Sequence, residues 1–146
     1  MTWAKLLANN SVTRQPAAKK EIDNLRSIVS RSLKDVTATG LSADARFIMA
    51  YDAARTLSLM IVRSSGYRPK AAGGHYNTTF LALETADGQF AKLSAYFDGC
   101  RIKRKASEYD FAGGVTDTDA DGLLKTVQQF AADAEAWIKA KHPAMT

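Results

Sequence analysis

The sequence predicts an all-α domain, an up-and-down four-helix bundle with an extra short helix. Apolar residues recur at helical spacing, only three prolines interrupt 146 residues, and no segment alternates apolar and polar residues between turns. This length fits one domain with its own core. We expect that core over about 17–140, with residues 1–16 as an N-terminal arm or a short helix.

The first long helix is predicted over residues 17–36, ahead of a closing Thr39-Gly40. Its apolar side chains form one stripe with a period of about 3.6 residues: Ile22, Leu25, Val29 and Val36. The second helix is predicted over 43–64, with Ser42 as its N-cap. It is apolar on several sides, and such a helix usually lies at the centre of a bundle.

Three further helices complete the prediction. A short helix covers 75–85, a longer one covers 89–108, and the last begins after Thr116. Asp87-Gly88 separates the first two, and Gly113-Gly114 forms a turn before the third.

Composition excludes several classes of protein. One cysteine, Cys100, rules out an intramolecular disulfide framework, and two distant histidines do not make a metal site. No apolar run is long enough to span a membrane, and the N-terminus lacks a signal-peptide pattern. We therefore expect a cytoplasmic protein without metal, cofactor or membrane partner.

Positive charge is concentrated in two places. Residues 1–40 carry seven bases and three acids, whereas 111–146 carry three bases and five acids. The segment 101–105 holds four bases that form a candidate phosphate-binding cluster: Arg101, Lys103, Arg104 and Lys105. At 100° per residue, Arg104 continues the apolar stripe of its helix, so it snorkels, pairs with an acid or faces a second subunit.

Two more residues are candidates for the site. Asp52 lies in an apolar stretch of the second helix, where it forms a local pair with Arg55 or meets Arg104 across the bundle. His75 opens the short helix and is either a cap or an acid–base group. The sequence contains no P-loop, GxGxxG or HExxH pattern.

Two stretches together resemble the HEPN superfamily of helical bundles. The first is Leu41–Phe47 running into Ala50-Tyr51-Asp52-Ala53-Ala54-Arg55, followed by the Gly73-Gly74-His75 loop. The second is Arg101–Asp110, which precedes a glycine-rich turn and the final helix. The order of these motifs carries the resemblance, which covers roughly 17–140.

The resemblance implies a function. Many HEPN domains are metal-independent ribonucleases that dimerise, so that an arginine and a histidine a few residues later line one cleft. In that mechanism the arginine binds the scissile phosphate and the histidine transfers protons. Other members have lost the motif and act as binding or assembly domains, and some pair with nucleotidyltransferases in toxin–antitoxin modules.

Carried over to this chain, Arg104 matches the motif arginine and Asp52 matches a polar position that often neighbours it. Tyr109 stands five residues after Arg104, where the family has histidine. A phenol with a pKa of about 10 is a poorer proton shuttle at neutral pH than imidazole at about 6.5. The resemblance therefore favours a non-catalytic, homodimeric HEPN-like binding domain, with RNA or a nucleotide as ligand and a nucleotidyltransferase-type protein as partner. The alternative is a ribonuclease that uses Arg104 with Tyr109 or His75.

Overall fold

The computed structural model describes residues 1–70, 78–109 and 113–146, and for 107–109 the backbone alone. Helices dominate these ranges, as the sequence predicts. The elements in chain order are α1 (Trp3–Ala8), β1 (Val12–Arg14), α2 (Lys19–Asp35), α3 (Ala43–Ser64), β2 (Tyr67–Pro69), α4 (Thr78–Ala86), α5 (Ala91–Tyr109) and α6 (Asp117–Lys141). Short 3₁₀ turns at Gly88–Phe90 and Pro143–Met145 precede α5 and follow α6.

The predicted helix ends agree closely with those observed. The Ser42 side chain accepts a hydrogen bond from the Ala45 N–H at the start of α3. Thr116 and Asp119 form a capping box at the start of α6, because each side chain accepts from the other's backbone N–H. Gly66 has a φ of +91° just after α3, a conformation that suits glycine.

Two short strands were absent from the prediction. β1 pairs antiparallel with β2, and the register joins Arg14 to Tyr67 and Val12 to Pro69. α1 and β1 occupy the segment predicted as an N-terminal arm or a short helix, and β2 follows α3. Strands of three residues are too short to show an alternating pattern.

α3 lies at the centre of the bundle, which confirms the expectation from its apolar faces. It contacts α2, α4, α5 and α6 within the one chain. Phe47, Tyr51 and Ile61 are buried on it, whereas Ile48 and Leu59 are half-buried.

Aromatic rings join α3 to the three helices that follow it. The ring of Tyr51 meets that of Phe80 edge-on, with centroids 5.9 Å apart. Phe80 contacts Phe97, and Phe97 contacts Phe130, at centroid distances of 5.6 and 5.5 Å. These contacts fix the position of Tyr51, which forms the floor of the candidate site.

Candidate anion-binding site

The α3 helix presents three polar groups within two turns. Tyr51 is buried, Asp52 is half-buried and Arg55 is exposed. A helix places residues three and four positions apart on the same side, so Asp52 and Arg55 share one edge of α3. Of the two alternatives predicted for Asp52, the structure shows the approach to Arg104 on α5.

The α5 helix supplies the arginine that faces this edge. Phe97 and Cys100 are buried against α3 and α6, and Arg104 continues the same stripe one turn later. The Arg104 guanidinium carbon lies 5.4 Å from the centre of the Tyr51 ring, a distance typical of a cation–π contact. Its side chain is 30% exposed, so Arg104 reaches the surface across an aromatic floor.

Arg104 and Asp52 meet, as one of the two predicted alternatives requires. Arg104 Nη2 lies 3.7 Å from Asp52 Oδ1, and the Asp52 side chain is 48% exposed. The neighbouring ion pairs Arg101–Asp98 and Lys103–Asp119 are closer, at 2.8 Å each. The Arg104–Asp52 pair is therefore longer than its neighbours, and its carboxylate is not stranded in the core.

Three guanidinium groups act on the Tyr51 hydroxyl from two helices. Burial raises the pKa of Tyr51, while the positive charges of Arg55, Arg104 and Arg101 oppose that rise. Since burial dominates, the phenol stays protonated at neutral pH. We call Tyr51, Asp52, Arg55, Arg101 and Arg104 the arginine site.

The basic side chains of segment 101–105 do not all face the arginine site. Arg101 Nε donates to Asp98, and Lys103 Nζ donates to Asp119 at the start of α6. Lys103 is thus directed away from the arginine site toward α6, although the sequence grouped it with Arg104. Lys105 is exposed.

The side chains of two residues predicted to transfer protons, Tyr109 and His75, lie outside the described part of the chain. Tyr109 ends α5, and its side chain is outside the described part of the chain. His75 also lies outside the described residues. The roles proposed for both as proton-transfer groups stay predictions.

The thiol of Cys100 is unsuited to nucleophilic chemistry. Burial raises its pKa to about 11, so the thiolate is scarce at neutral pH. Within residues 1–70, 78–109 and 113–146, no group of three His, Cys, Asp or Glu side chains is arranged to hold a metal ion.

Sequence reasoning missed Tyr51 and Arg55 as members of the site. In the sequence pattern Tyr51 falls among the apolar faces of α3, and Arg55 appears only as a local partner of Asp52. The available signal was a polar triplet, Tyr51, Asp52 and Arg55, within one turn of an otherwise apolar helix.

Comparisons with known proteins add no family assignment. No family model, no curated protein and no solved structure matches this chain. Among the described residues, no helix is long and apolar enough to cross a membrane. The resemblance to HEPN domains therefore stays a prediction.

Proposed function

We propose that this chain is a non-catalytic HEPN-like domain that binds the phosphate groups of RNA or a nucleotide through the arginine site. The observation that carries the proposal is the position of Arg104, which is held against the Tyr51 ring and still reaches the surface. A guanidinium is suited to phosphate because its N–H groups match two oxygens at once.

Binding is favoured over cleavage by the chemistry of the groups present. A metal-independent ribonuclease needs a group that exchanges protons near neutral pH, usually histidine. Within the described residues, the arginine site has a buried phenol and a carboxylate in its place. The motif position after Arg104 carries Tyr109, and a phenol, with an unperturbed pKa of about 10, is unsuited to that task.

The proposal extends to assembly and location. The domain forms a two-fold homodimer with Arg104 near the interface cleft, acts in the cytoplasm and associates with a nucleotidyltransferase-type protein of a toxin–antitoxin or defence system. These parts rest on the resemblance of the Tyr51–Arg55 and Arg101–Asp110 stretches to the HEPN pattern.

Binding can be tested with a fluorescently labelled single-stranded RNA at several salt concentrations. We expect Arg104→Ala to weaken binding and to reduce the slope of log affinity against log salt by about 0.7, the value for one lost phosphate contact. Arg31→Ala removes the same charge from an exposed position on α2 and is the matched control. Unchanged affinity in a folded Arg104→Ala protein would refute the proposal.

Cleavage is tested separately with the same RNA in EDTA. We expect the substrate to stay intact over hours with the wild-type protein. Cleavage that Arg104→Ala abolishes would establish the ribonuclease alternative and assign Tyr109 or His75 a catalytic role.

A further inference from the structure

A small cavity lies between α4 and α5, which pack against each other as a helical hairpin. Its volume is about 150 Å³, roughly ten times what one water molecule needs. Each helix contributes three residues to its lining, Phe80, Leu81 and Glu84 from α4 and Ser94, Ala95 and Asp98 from α5. The ring contact between Phe80 and Phe97 joins the two helices beside it. The cavity therefore has room for a ligand of several atoms.

The hydroxyl of Ser94 is a buried polar group without a partner. Ser94 is 5% exposed, and its Oγ has no hydrogen-bond partner among the residues that the structure describes. Buried polar groups are rarely left unsatisfied, because the lost hydrogen bonds to water are costly. A helical hydroxyl can bond the carbonyl four residues earlier, as those of Ser58 and Thr85 do. Since Ser94 lines the cavity, a ligand seated there would supply the bond that Ser94 lacks.

Two carboxylates give the lining a negative charge. Glu84 is half-buried and forms no ion pair or hydrogen bond with any described residue. Asp98 Oδ1 accepts a hydrogen bond from Arg101 Nε at 2.8 Å, and Asp98 Oδ2 accepts none from the described part of the chain. The charges of Asp98 and Arg101 offset each other, so the charge of Glu84 remains uncompensated.

These groups match the chemistry of a primary ammonium on an unbranched alkyl chain. An ammonium group has three N–H donors, and the lining offers three acceptors in Glu84, Asp98 and Ser94. The apolar side chains of Phe80 and Leu81 suit the alkyl chain, as they would the stem of a lysine. A calcium or magnesium ion is a poorer match, because it requires six or more oxygen ligands.

We propose that the cavity between α4 and α5 binds a primary alkylammonium ion through Glu84, Asp98 and Ser94. Two sources share this chemistry, a free alkylamine and the side chain of a lysine. The proposal does not depend on phosphate binding by the arginine site. Because Asp98 also holds Arg101 of that site, Glu84 and Ser94 are the positions to vary.

The first experiment is a chemical-shift titration with 1-butylamine at pH 7, where this amine is protonated and has the chain length of a lysine side chain. We expect saturable shifts at the amides of Glu84 and Ser94. Tetramethylammonium has the charge but no N–H donors, and 1-butanol lacks the charge. Both should bind at least about tenfold more weakly, the factor for one charged hydrogen bond. Equal binding of butylamine and tetramethylammonium would overturn the proposal.

Glu84→Gln tests the uncompensated carboxylate. We expect this variant to bind butylamine about tenfold more weakly than wild type does. Asp35→Asn removes an exposed carboxylate at the end of α2 and should leave the affinity unchanged, which controls for net charge. Equal affinities of Glu84→Gln and wild type would contradict the proposed site.

Ser94→Ala separates ligand binding from folding. We expect butylamine affinity to fall about fivefold, the factor for one neutral hydrogen bond. The melting temperature should stay the same or rise, because the variant removes a buried hydroxyl that has no partner among the described residues. Unfolding cannot explain weaker binding by a protein that melts no earlier. An affinity that does not change would show that Ser94 takes no part in binding and would refute the three-acceptor site.

The amide of Nα-acetyl-lysine distinguishes the two sources. Tighter binding of this compound than of butylamine supports a lysine side chain as the ligand, whereas the reverse order supports a free amine. Failure of the site is distinguishable from failure of the proposed function. Absence of butylamine binding overturns the ammonium site alone, and unchanged RNA affinity in Arg104→Ala overturns phosphate binding alone.

Discussion

Arg63 and Arg104 show how burial decides what an arginine does. The Arg63 side chain is 1% exposed, and its guanidinium donates to both carboxylate oxygens of Glu21 and to the backbone carbonyls of Gln15 and Tyr67. Arg104 is 30% exposed and has a loosely held carboxylate nearby. The first arginine joins α2, α3 and the β1–β2 ribbon, whereas the second reaches the surface.

Removing Arg63 is expected to destabilise the protein strongly. Arg63→Ala leaves the carbonyls of Gln15 and Tyr67 without their donor and Glu21 without its main partner, which should cost about 3–5 kcal/mol in the free energy of unfolding. Urea denaturation measures this loss, and Arg31→Ala should change the same quantity by less than about 0.5 kcal/mol. A loss below about 1 kcal/mol in Arg63→Ala would contradict this account of the buried pair.

The Arg104–Asp52 pair is expected to contribute little to stability. Both side chains are partly solvated and their nearest charged atoms are 3.7 Å apart, so the coupling energy should be below about 1 kcal/mol. Thermal or urea melts of Arg104→Ala, Asp52→Ala and the double variant measure it. A coupling of about 3 kcal/mol would instead mean that the pair is structural and would weaken the case for ligand binding there.

At the scale of elements, the start of α6 depends on a few local bonds. The Thr116 side chain accepts from the Asp119 N–H, and Asp119 accepts from both the Thr116 N–H and Lys103 Nζ. Thr116→Ala should therefore lower the free energy of unfolding by about 1 kcal/mol. Thr116→Ser keeps the capping oxygen and is expected to behave like wild type in the same melt.

Because of the same cap, the stability of the protein should depend on pH. The pKa of Asp119 is lowered from 3.8 to about 2, first by the hydrogen bond from Lys103 and then by that from the Thr116 N–H. A lowered pKa means that the stabilisation is complete above pH 4 and is lost as the pH falls toward 2. Melting temperatures between pH 5 and pH 2 should fall less steeply for Asp119→Asn than for wild type, and parallel curves would be evidence against the cap as the cause.

At the scale of the whole molecule, the apolar surface of α3 needs no second subunit to cover it. Four helices of the same chain cover most of it. Among the described residues, the large apolar side chains that stay exposed on α5 are Tyr96 and Ile102, at 42% and 58%.

Dimerisation, as proposed, should involve the side of α5 that carries Arg104, and Ile102 lies about 160° around the helix from that side. We expect light scattering at tens of micromolar to give twice the chain mass, and Ile102→Glu to leave that mass unchanged. Lys92→Glu alters another exposed position on α5 and serves as a comparison. A wild-type monomer at that concentration would count strongly against the proposed assembly.

Most of the features that the sequence predicts, namely helix boundaries and caps, depend on residues that are close together in the chain. The boundaries of α2, α3 and α6 followed from apolar spacing and from the caps Ser42 and Thr116, because helical hydrogen bonds and caps join groups within four residues. The inward direction of Arg104 followed from the same spacing. These features need no knowledge of the rest of the chain.

Contacts between remote segments could be decided only by the tertiary structure. Val12–Arg14 pairs with Tyr67–Pro69, Arg63 reaches Glu21, and Arg104 lies over Tyr51, each across about 40 residues or more. Such contacts depend on how helices pack and loops close, which no local pattern records. The sequence by itself therefore determined the helices and one inward arginine, whereas the packing of α5 on α3 decided which groups that arginine meets and how much water reaches them.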